Sequence, residues 1–341
     1  MFQRRVRVFY PLRTGRMVLR TENDWQQDVE PLDVQSPADV FEFDISGTHS
    51  TLDLKPCIRQ GDRLIWSHGA NKLVVLSSDG PRDIYPFFEP RNRSDLTSRI
   101  PFHSQILGRH LELRIYKPAG YDENFLKRYP VIYMHDGRNL FFPEEAFTGR
   151  EWQVDETMDR LDAMNLIDQC LVVGIHTSRR MEDYSRPGYE AFGRALTEEL
   201  KPMVDRELRT LPDSRNTTVM GSSMGGVLSF FLAWQFPQVF GNAACLSSTF
   251  GRFDDLIHRV RTESLDGRED LRFYLDSGWP NDNYEATLGM AHALTERGFS
   301  FGRRLLHFAF PFARHNEPSW AARCHLPIQL FSGRLANLDR R

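Results

Sequence analysis

The sequence predicts an α/β fold preceded by a small all-β module, and three observations carry the prediction. Beyond about residue 100, strand-like apolar runs alternate with helix-like segments, the pattern of an α/β protein. The runs in the middle of that region, among them "PVIYMHD" and "CLVVGIH", are continuously apolar, as expected of strands covered on both faces of a mostly parallel sheet. Before about residue 90 there are only short β-like pieces broken by turns, with no room for a helix of ordinary length.

Taken in order, the early pieces are "RVRVFYP", "GRMVLRT", "DVFEFDI", "STLDLKP", "DRLIWSH" and "KLVVLSS". Their regular spacing suggests a β-sandwich over residues 1–92. The connector "EPRNRSDLTSRIP", rich in Arg, Ser and Pro, reads as an inter-domain linker, and a catalytic domain is expected over 93–341. Its candidate strands are "HLELRIYKP", "PVIYMHD", "CLVVGIH", "NTTVMGS", "AACLSST", "LRFYLDS" and "RRLLHFAFP". Helices are expected over 151–164, 190–208, 222–236, 254–264, 283–298 and 317–333.

A formal net charge of −3 offers no basic field for nucleic acid, and no apolar run approaches the roughly 18 residues of a membrane span. The basic N-terminus "MFQRRVRVFYPLRTGR" lacks the unbroken apolar segment of a secretory signal, so an unexported, cytoplasmic protein is expected. Cys57, Cys170, Cys245 and Cys324 lie far apart without a C-x-x-C pair and read as buried free thiols.

The chemistry concentrates at "TVMGSSMGGVLSFFLAW", Thr218 to Trp234. A strand, a tight turn and a helix follow one another there, the setting that G-x-S-x-G requires. The apex serine is pushed into a strained backbone that presents its Oγ, and bulky residues two positions either side would collide with strand and helix. Gly221 and Gly225 satisfy both positions if Ser223 is the apex, whereas an apex at Ser222 would put Met220 and Met224 there. Ser223 is therefore the candidate nucleophile.

Serine needs a base, and the base needs an acid to hold it. In this class of fold they follow as Ser, then Asp or Glu, then His, on loops after later strands. His315, just after "LLHFAFP", stands where that base belongs, whereas His258, His292, His307 and His325 lie within helices or a strand. For the acid, Asp282 in the loop "WPNDN" is preferred to Asp276 at the strand end, which can instead bond the turn at Ser277-Gly278. The developing oxyanion needs N–H donors. One is expected from Met224, the residue after the nucleophile, and one from the loop "YMHDGRNLFF", at Arg138.

Phe142, Trp152, Tyr184 and Trp279 are candidates to line a substrate pocket, Trp279 first because it shares a loop with Asp282. Arg179-Arg180 is either a contact for an anionic substrate or a solvated surface pair. With no H-E-x-x-H and no thiolate cluster, neither a metal nor another cofactor is expected.

At these residues the chain resembles the bacterial "putative esterase" branch of the α/β-hydrolases, which includes enterochelin esterases, feruloyl esterases, S-formylglutathione hydrolases and the mycolyltransferase antigens. The matching pieces include "YPVIYMHDGRNLF", "EWQVDETMDRL", "LVVGIHTSRRMEDY", "LTEELKPMVDREL", "TVMGSSMGG" and "RHNEPSWAARCHLPIQLF", an ordered set over about residues 100–335. The resemblance implies an α/β-hydrolase acting on a small-molecule ester, with Ser223 as nucleophile, His315 as base, Asp282 as acid and oxyanion amides at Arg138 and Met224. In the family the "HDG" loop often continues with Gln; Arg138 stands there in this chain, which keeps the backbone role and changes substrate contacts.

The N-terminal part more weakly resembles a starch-binding-like β-sandwich. That implies a glycan partner stacked on Trp25 and Trp66; the alternative is that both rings fill the core of a small domain, or that the module walls the active site. Two rivals to an esterase stay open at this point. One is an acyltransferase on the same site, the other a carbohydrate-binding protein whose hydrolase domain is degenerate.

Overall fold

The computed structural model describes residues 1–32, 39–90 and 93–333. The expected boundary at 92/93 touches residues 91–92, which lie outside the described residues. The chain forms two compact units: Met1–Asp95 with Pro118–Arg128 and Asp159–Leu166, and Leu96–Lys117 with Tyr129–Met158 and Ile167–Arg341.

In the first unit, alternating sequence builds β1 (Phe2–Phe9), β2 (Arg16–Thr21), β3 (Asp24–Val29), β4 (Val40–Gly47), β5 (Thr51–Gln60), β6 (Arg63–Trp66), β7 (Lys72–Val75) and β8 (Arg82–Ile84). They form two sheets, one in the order β4-β1-β8 and one in the order β3-β2-β5-β6 with β7 also on β5. Every second side chain of β4 (Phe41, Phe43, Ile45) enters one core, which meets Met17 and Leu19 of β2 and Leu52 and Leu54 of β5. The tryptophans do not join it. Trp66 is 41% exposed, and its ring lies 6.3 Å from that of half-buried Trp25.

The second unit is built on one sheet. Its strands are β9 (Asp95–Leu96), β10 (Ile100–Ser104), β11 (Arg109–Lys117), β12 (Val131–His135), β13 (Leu171–His176), β14 (Thr217–Ser222), β15 (Asn242–Leu246), β16 (Arg272–Trp279) and β17 (Leu305–Pro311). The order is β10-β11-β13-β12-β14-β15-β16-β17, with β9 on β11. The β10/β11 and β11/β13 pairs are antiparallel. From β13 to β17 each neighbour pair is parallel. β12, β14 and β15 are buried at every residue, the reason for their unbroken apolar runs.

The helices are α1 (Val154–Ala163), α2 (Arg180–Asp183), α3 (Gly188–Arg194), α4 (Lys201–Glu207), α5 (Met224–Gln235), α6 (Leu256–Thr262), α7 (Tyr284–Glu296), α8 (Glu317–Ala321) and α9 (His325–Ser332). Three expectations are corrected. The helix expected over 317–333 is two helices, because Pro327 lacks an N–H and its ring would meet the carbonyl of Arg323. The stretch read as a linker contains β9 and the start of β10, short strands paired with β11 whose polar composition hid them. Finally, β16 runs on to Trp279, so Asp276 lies inside the strand rather than at its end and Trp279 closes the strand instead of sharing the loop of Asp282.

Candidate active site

Ser223 joins β14 to α5 with φ 57° and ψ −122°, a conformation that L-residues hold only under constraint. Its N–H donates to the Leu246 carbonyl at 2.8 Å and its carbonyl accepts from Val227 N–H at 3.2 Å. The turn is also closed sterically. A Cβ at Gly221 would lie 2.6 Å from the carbonyl carbon of Gly225, so only glycine lets strand and helix approach.

The loop after β17 brings His315 over this serine. Its Nε2 lies 2.9 Å from Ser223 Oγ and its Nδ1 lies 2.7 Å from Asp282 Oδ1. With the Nδ1–H donating to the carboxylate, Nε2 is left to accept from the hydroxyl. The approach depends on Gly278, where a Cβ would sit 2.0 Å from the Ala313 carbonyl oxygen. The ring is supported by Trp320, edge-on with centroids 5.0 Å apart. The His315 side chain is 37% exposed while that of Asp282 is wholly covered.

Asp282 is held on both oxygens. Oδ1 also accepts from Asn283 N–H at 2.8 Å, and Oδ2 from Gly278 N–H at 2.7 Å and from the Ser247 hydroxyl. Burial pushes its pKa up, but the bonds from His315, Ser247, Gly278 and Asn283 outweigh that and bring it to about 2. Asp276 is turned away from the imidazole. It accepts from Arg323 Nε at 3.0 Å and from the Tyr274 hydroxyl at 2.8 Å, and burial raises its pKa to about 6 against both. The two carboxylates are linked through Ser247, whose Oγ accepts from Arg323 Nη2 at 2.6 Å and from Trp320 Nε1 at 3.0 Å. Sequence reasoning missed Ser247, Trp320, Arg323 and Asn283. Only the position of Ser247, just beyond an apolar strand, hinted at a site residue.

The turn after β12 faces the same serine helix. Asp136 has φ 57° and ψ 45°, and Arg138 lies in the single 3₁₀ turn Gly137–Asn139. The first N–H groups of a helix have no intrahelical acceptor, which applies to Arg138 in that turn and to Met224 at the start of α5. The Arg138 side chain points to Glu112, at 3.0 and 3.1 Å. Behind the turn His135 is buried and kept neutral, its pKa lowered to about 3 by burial and then by Arg180.

The other candidates fall differently. Trp152 and Tyr184 are 2% and 1% exposed: Trp152 packs beside Trp320, and the Tyr184 hydroxyl accepts from Asp136 N–H at 3.1 Å. They are core residues, not pocket lining. Phe142 is half-buried under the Arg114 guanidinium at 4.7 Å, and Trp279 is 47% exposed. Arg180 is paired with Asp136 at 2.6 and 2.9 Å, and Arg179 reaches Glu182 at 3.5 Å. A pocket of about 290 Å³ opens at the serine, lined by Ser223, Thr249, Arg252, Asn281, Asp282, Asn283 and His315. Among the described residues no cluster of three or more His, Cys, Asp or Glu could hold a metal, and no helix is long and apolar enough to cross a membrane.

Comparison with known proteins adds the following. The Esterase family model, described as "Putative esterase", matches residues 104–321. A curated relative, the uncharacterized protein YjcH of Bacillus subtilis (strain 168), is 30% identical over 146 residues, 41% of this chain and 57% of its own length. The endo-1,4-beta-xylanase/feruloyl esterase of Xylanibacter ruminicola is 26% identical over 175 residues, 49% of this chain and 23% of its own. The chain thus spans less than two thirds of either relative. A ferulic acid esterase structure superposes with a TM-score of 0.60 at 16% identity, covering 71% of this chain and 99% of that one. The enterobactin esterase of Shigella flexneri does so with a TM-score of 0.58 at 14% identity, covering 93% and 88%. At these identities the structures establish a shared α/β-hydrolase-like fold.

Proposed function

The chain belongs to the "Putative esterase" family, and on that premise we propose that it is a serine ester hydrolase working through Ser223, His315 and Asp282. One observation carries the reading: Ser223 Oγ, His315 and the buried Asp282 carboxylate form a continuous hydrogen-bonded line, with steps of 2.9 and 2.7 Å.

In the first half-reaction Ser223 Oγ attacks the ester carbonyl carbon as its proton passes to His315 Nε2. The carbonyl oxygen becomes an oxyanion facing the N–H groups of Arg138 and Met224, where losing a single donor typically costs about 3 kcal/mol of barrier. The C–O bond to the alcohol then breaks, and His315 returns its proton to the leaving oxygen. Water, deprotonated by the same nitrogen, attacks the acyl-enzyme and releases the acid. Asp282 keeps Nδ1 protonated and stabilises the imidazolium, for which its low pKa suits it.

The test is a fluorophosphonate probe with p-nitrophenyl acetate hydrolysis, on wild type beside Ser223→Ala. Labelling and turnover confined to wild type are expected; equal labelling of both would place the nucleophile elsewhere. Relatives and structural neighbours named for feruloyl and enterobactin esters make a feruloyl ester and enterobactin the first substrates to try. Adding a sugar or lipid alcohol separates hydrolase from acyltransferase by the product formed.

A second reading concerns the first unit, taken as a β-sandwich module that ends near the proposed boundary at 92/93. The adjacent rings of Trp25 and exposed Trp66 favour a glycan contact. Retention on amylose that is lost in Trp66→Ala would support it, and no retention of wild type on amylose or glycogen would remove it.

A further inference from the structure

The pocket at Ser223 has no apolar wall. Beside the line Ser223, His315 and Asp282 its lining is Thr249, Asn281, Asn283 and Arg252. Pockets for aliphatic or aryl groups are lined mostly by apolar side chains, with a few polar groups to fix orientation. Here the surface supplies hydrogen-bonding groups and one cation.

That cation is exposed and is not neutralised. Arg252 follows β15 in a turn closed by its own N–H to the Thr249 carbonyl at 3.2 Å, and its guanidinium rests on the Phe253 ring at 5.2 Å. Among the described residues no ion pair involves Arg252. Neighbouring acids are engaged elsewhere. Asp254 accepts from Gly251 and Leu256 N–H, both at 3.0 Å, and Asp255 pairs with Arg186 at 2.8 Å. Asp282 is committed to His315 and to the donors around it. Arg180 already carries Asp136 and Arg138 already carries Glu112. An exposed guanidinium on the lining of a polar pocket, with its charge unmatched, offers a planar fork to a carboxylate.

The pocket also has a side. It borders His315 and Asn283 and does not include Arg138 or Met224. The alcohol leaves past the imidazole that protonates it, whereas the carbonyl oxygen turns to the two amides. Bordering the imidazole that protonates the leaving oxygen, the pocket is placed to receive the alcohol portion of the ester.

Resting on the ester-hydrolase reading above, we propose that Arg252 is a specificity-determining residue that selects esters whose alcohol portion bears a carboxylate. The test compares two matched pairs. 4-Acetoxybenzoate and its methyl ester differ by a charge on the alcohol; mono-p-nitrophenyl succinate and p-nitrophenyl butyrate differ by a charge on the acyl group. In wild type, Arg252→Ala and Arg252→Lys, the quantity read is the anionic-to-neutral ratio of kcat/KM. Arg252→Ala should lower the ratio for the first pair by about 5-fold, the upper range for a solvent-exposed ion pair, with Arg252→Lys between. The ratio for the second pair should move less than about 2-fold. An unchanged first ratio, or a larger fall in the second, overturns the proposal.

A binding arm makes the outcome independent of turnover. Ser223→Ala protein is titrated calorimetrically with 4-acetoxybenzoate, with and without Arg252→Ala, and the Kd should weaken by the same factor. Inert wild type with Arg252-dependent binding would sink the hydrolase reading and with it the selection among esters, leaving only the carboxylate contact of Arg252 standing. Active wild type with Arg252-independent ratios and binding would do the reverse.

Discussion

Replacing Asp282 by Asn tests the proposed acid, and the structure sets the size of the effect. Oδ1 serves His315 Nδ1 and Asn283 N–H, while Oδ2 serves Gly278 N–H and the Ser247 hydroxyl. An amide keeps one acceptor oxygen, so whichever way it flips its NH₂ meets a backbone N–H, a mismatch that costs about 1–3 kcal/mol of stability. If the NH₂ faces His315, Nδ1 must accept, Nε2 carries the proton and Ser223 loses its base. If it faces Ser247, the tautomer survives but the imidazolium loses its counter-charge. Either way kcat should fall by about 10³- to 10⁴-fold, equivalent to roughly 4–5.5 kcal/mol of barrier. Asp276→Asn is the control. It makes no contact with the imidazole, and it leaves buried Arg323 with only the 3.7 Å pairing to Asp282, so its main cost should be about 3 kcal/mol of stability. The assay is p-nitrophenyl acetate turnover with urea unfolding of the same samples. Should folded Asp276→Asn lose as much kcat as Asp282→Asn, the assignment of the acid is wrong.

Stability should respond to acid through the same carboxylate. The folded pKa of Asp282 is about 2 against an ordinary 3.8, so its contribution, about 2 kcal/mol, is present above pH 4 and lost as pH falls through 2. Wild type and Asp282→Asn should therefore approach each other in unfolding free energy between pH 5 and 2; a constant gap would contradict the linkage. Gly221→Ala places a methyl 2.6 Å from the Gly225 backbone and should cost about 3 kcal/mol or more, read as a lower Tm. An unchanged Tm with full probe labelling would mean the turn yields. Trp66→Ala, at a ring 41% exposed, should cost under about 1 kcal/mol. A loss above about 3 kcal/mol would return Trp66 to the core.

Much of the site was legible in the chain because local sterics write it there. The flanks of Ser223 admit only one register for G-x-S-x-G, and the burial of β12 and β14 on both faces leaves an apolar run that reads as a strand without any partner in view. Loop positions for Asp282 and His315 followed from counting strands. Loop position favoured Asp282 over Asp276 in the sequence, but the contact with the imidazole itself could not be read there. Asp282 and His315 are 33 residues apart and His315 and Ser223 are 92, and their meeting depends on the close passage of Ala313 over Gly278. Composition also misjudged the aromatics. Trp152 and Tyr184 looked like lining and are packed inside, while the unit-1 tryptophans, equally suited to a core, lie outside it. The same limit hid the link from Arg323 through Ser247 to Asp282 and the pairing of Arg180 with Asp136 while Arg252 keeps its charge for the pocket. A backbone conformation is enforced by neighbours in sequence and can be read from them. The partner of a long polar side chain is chosen by whatever the fold brings within 3 Å, and that is decided only once the strands are in register.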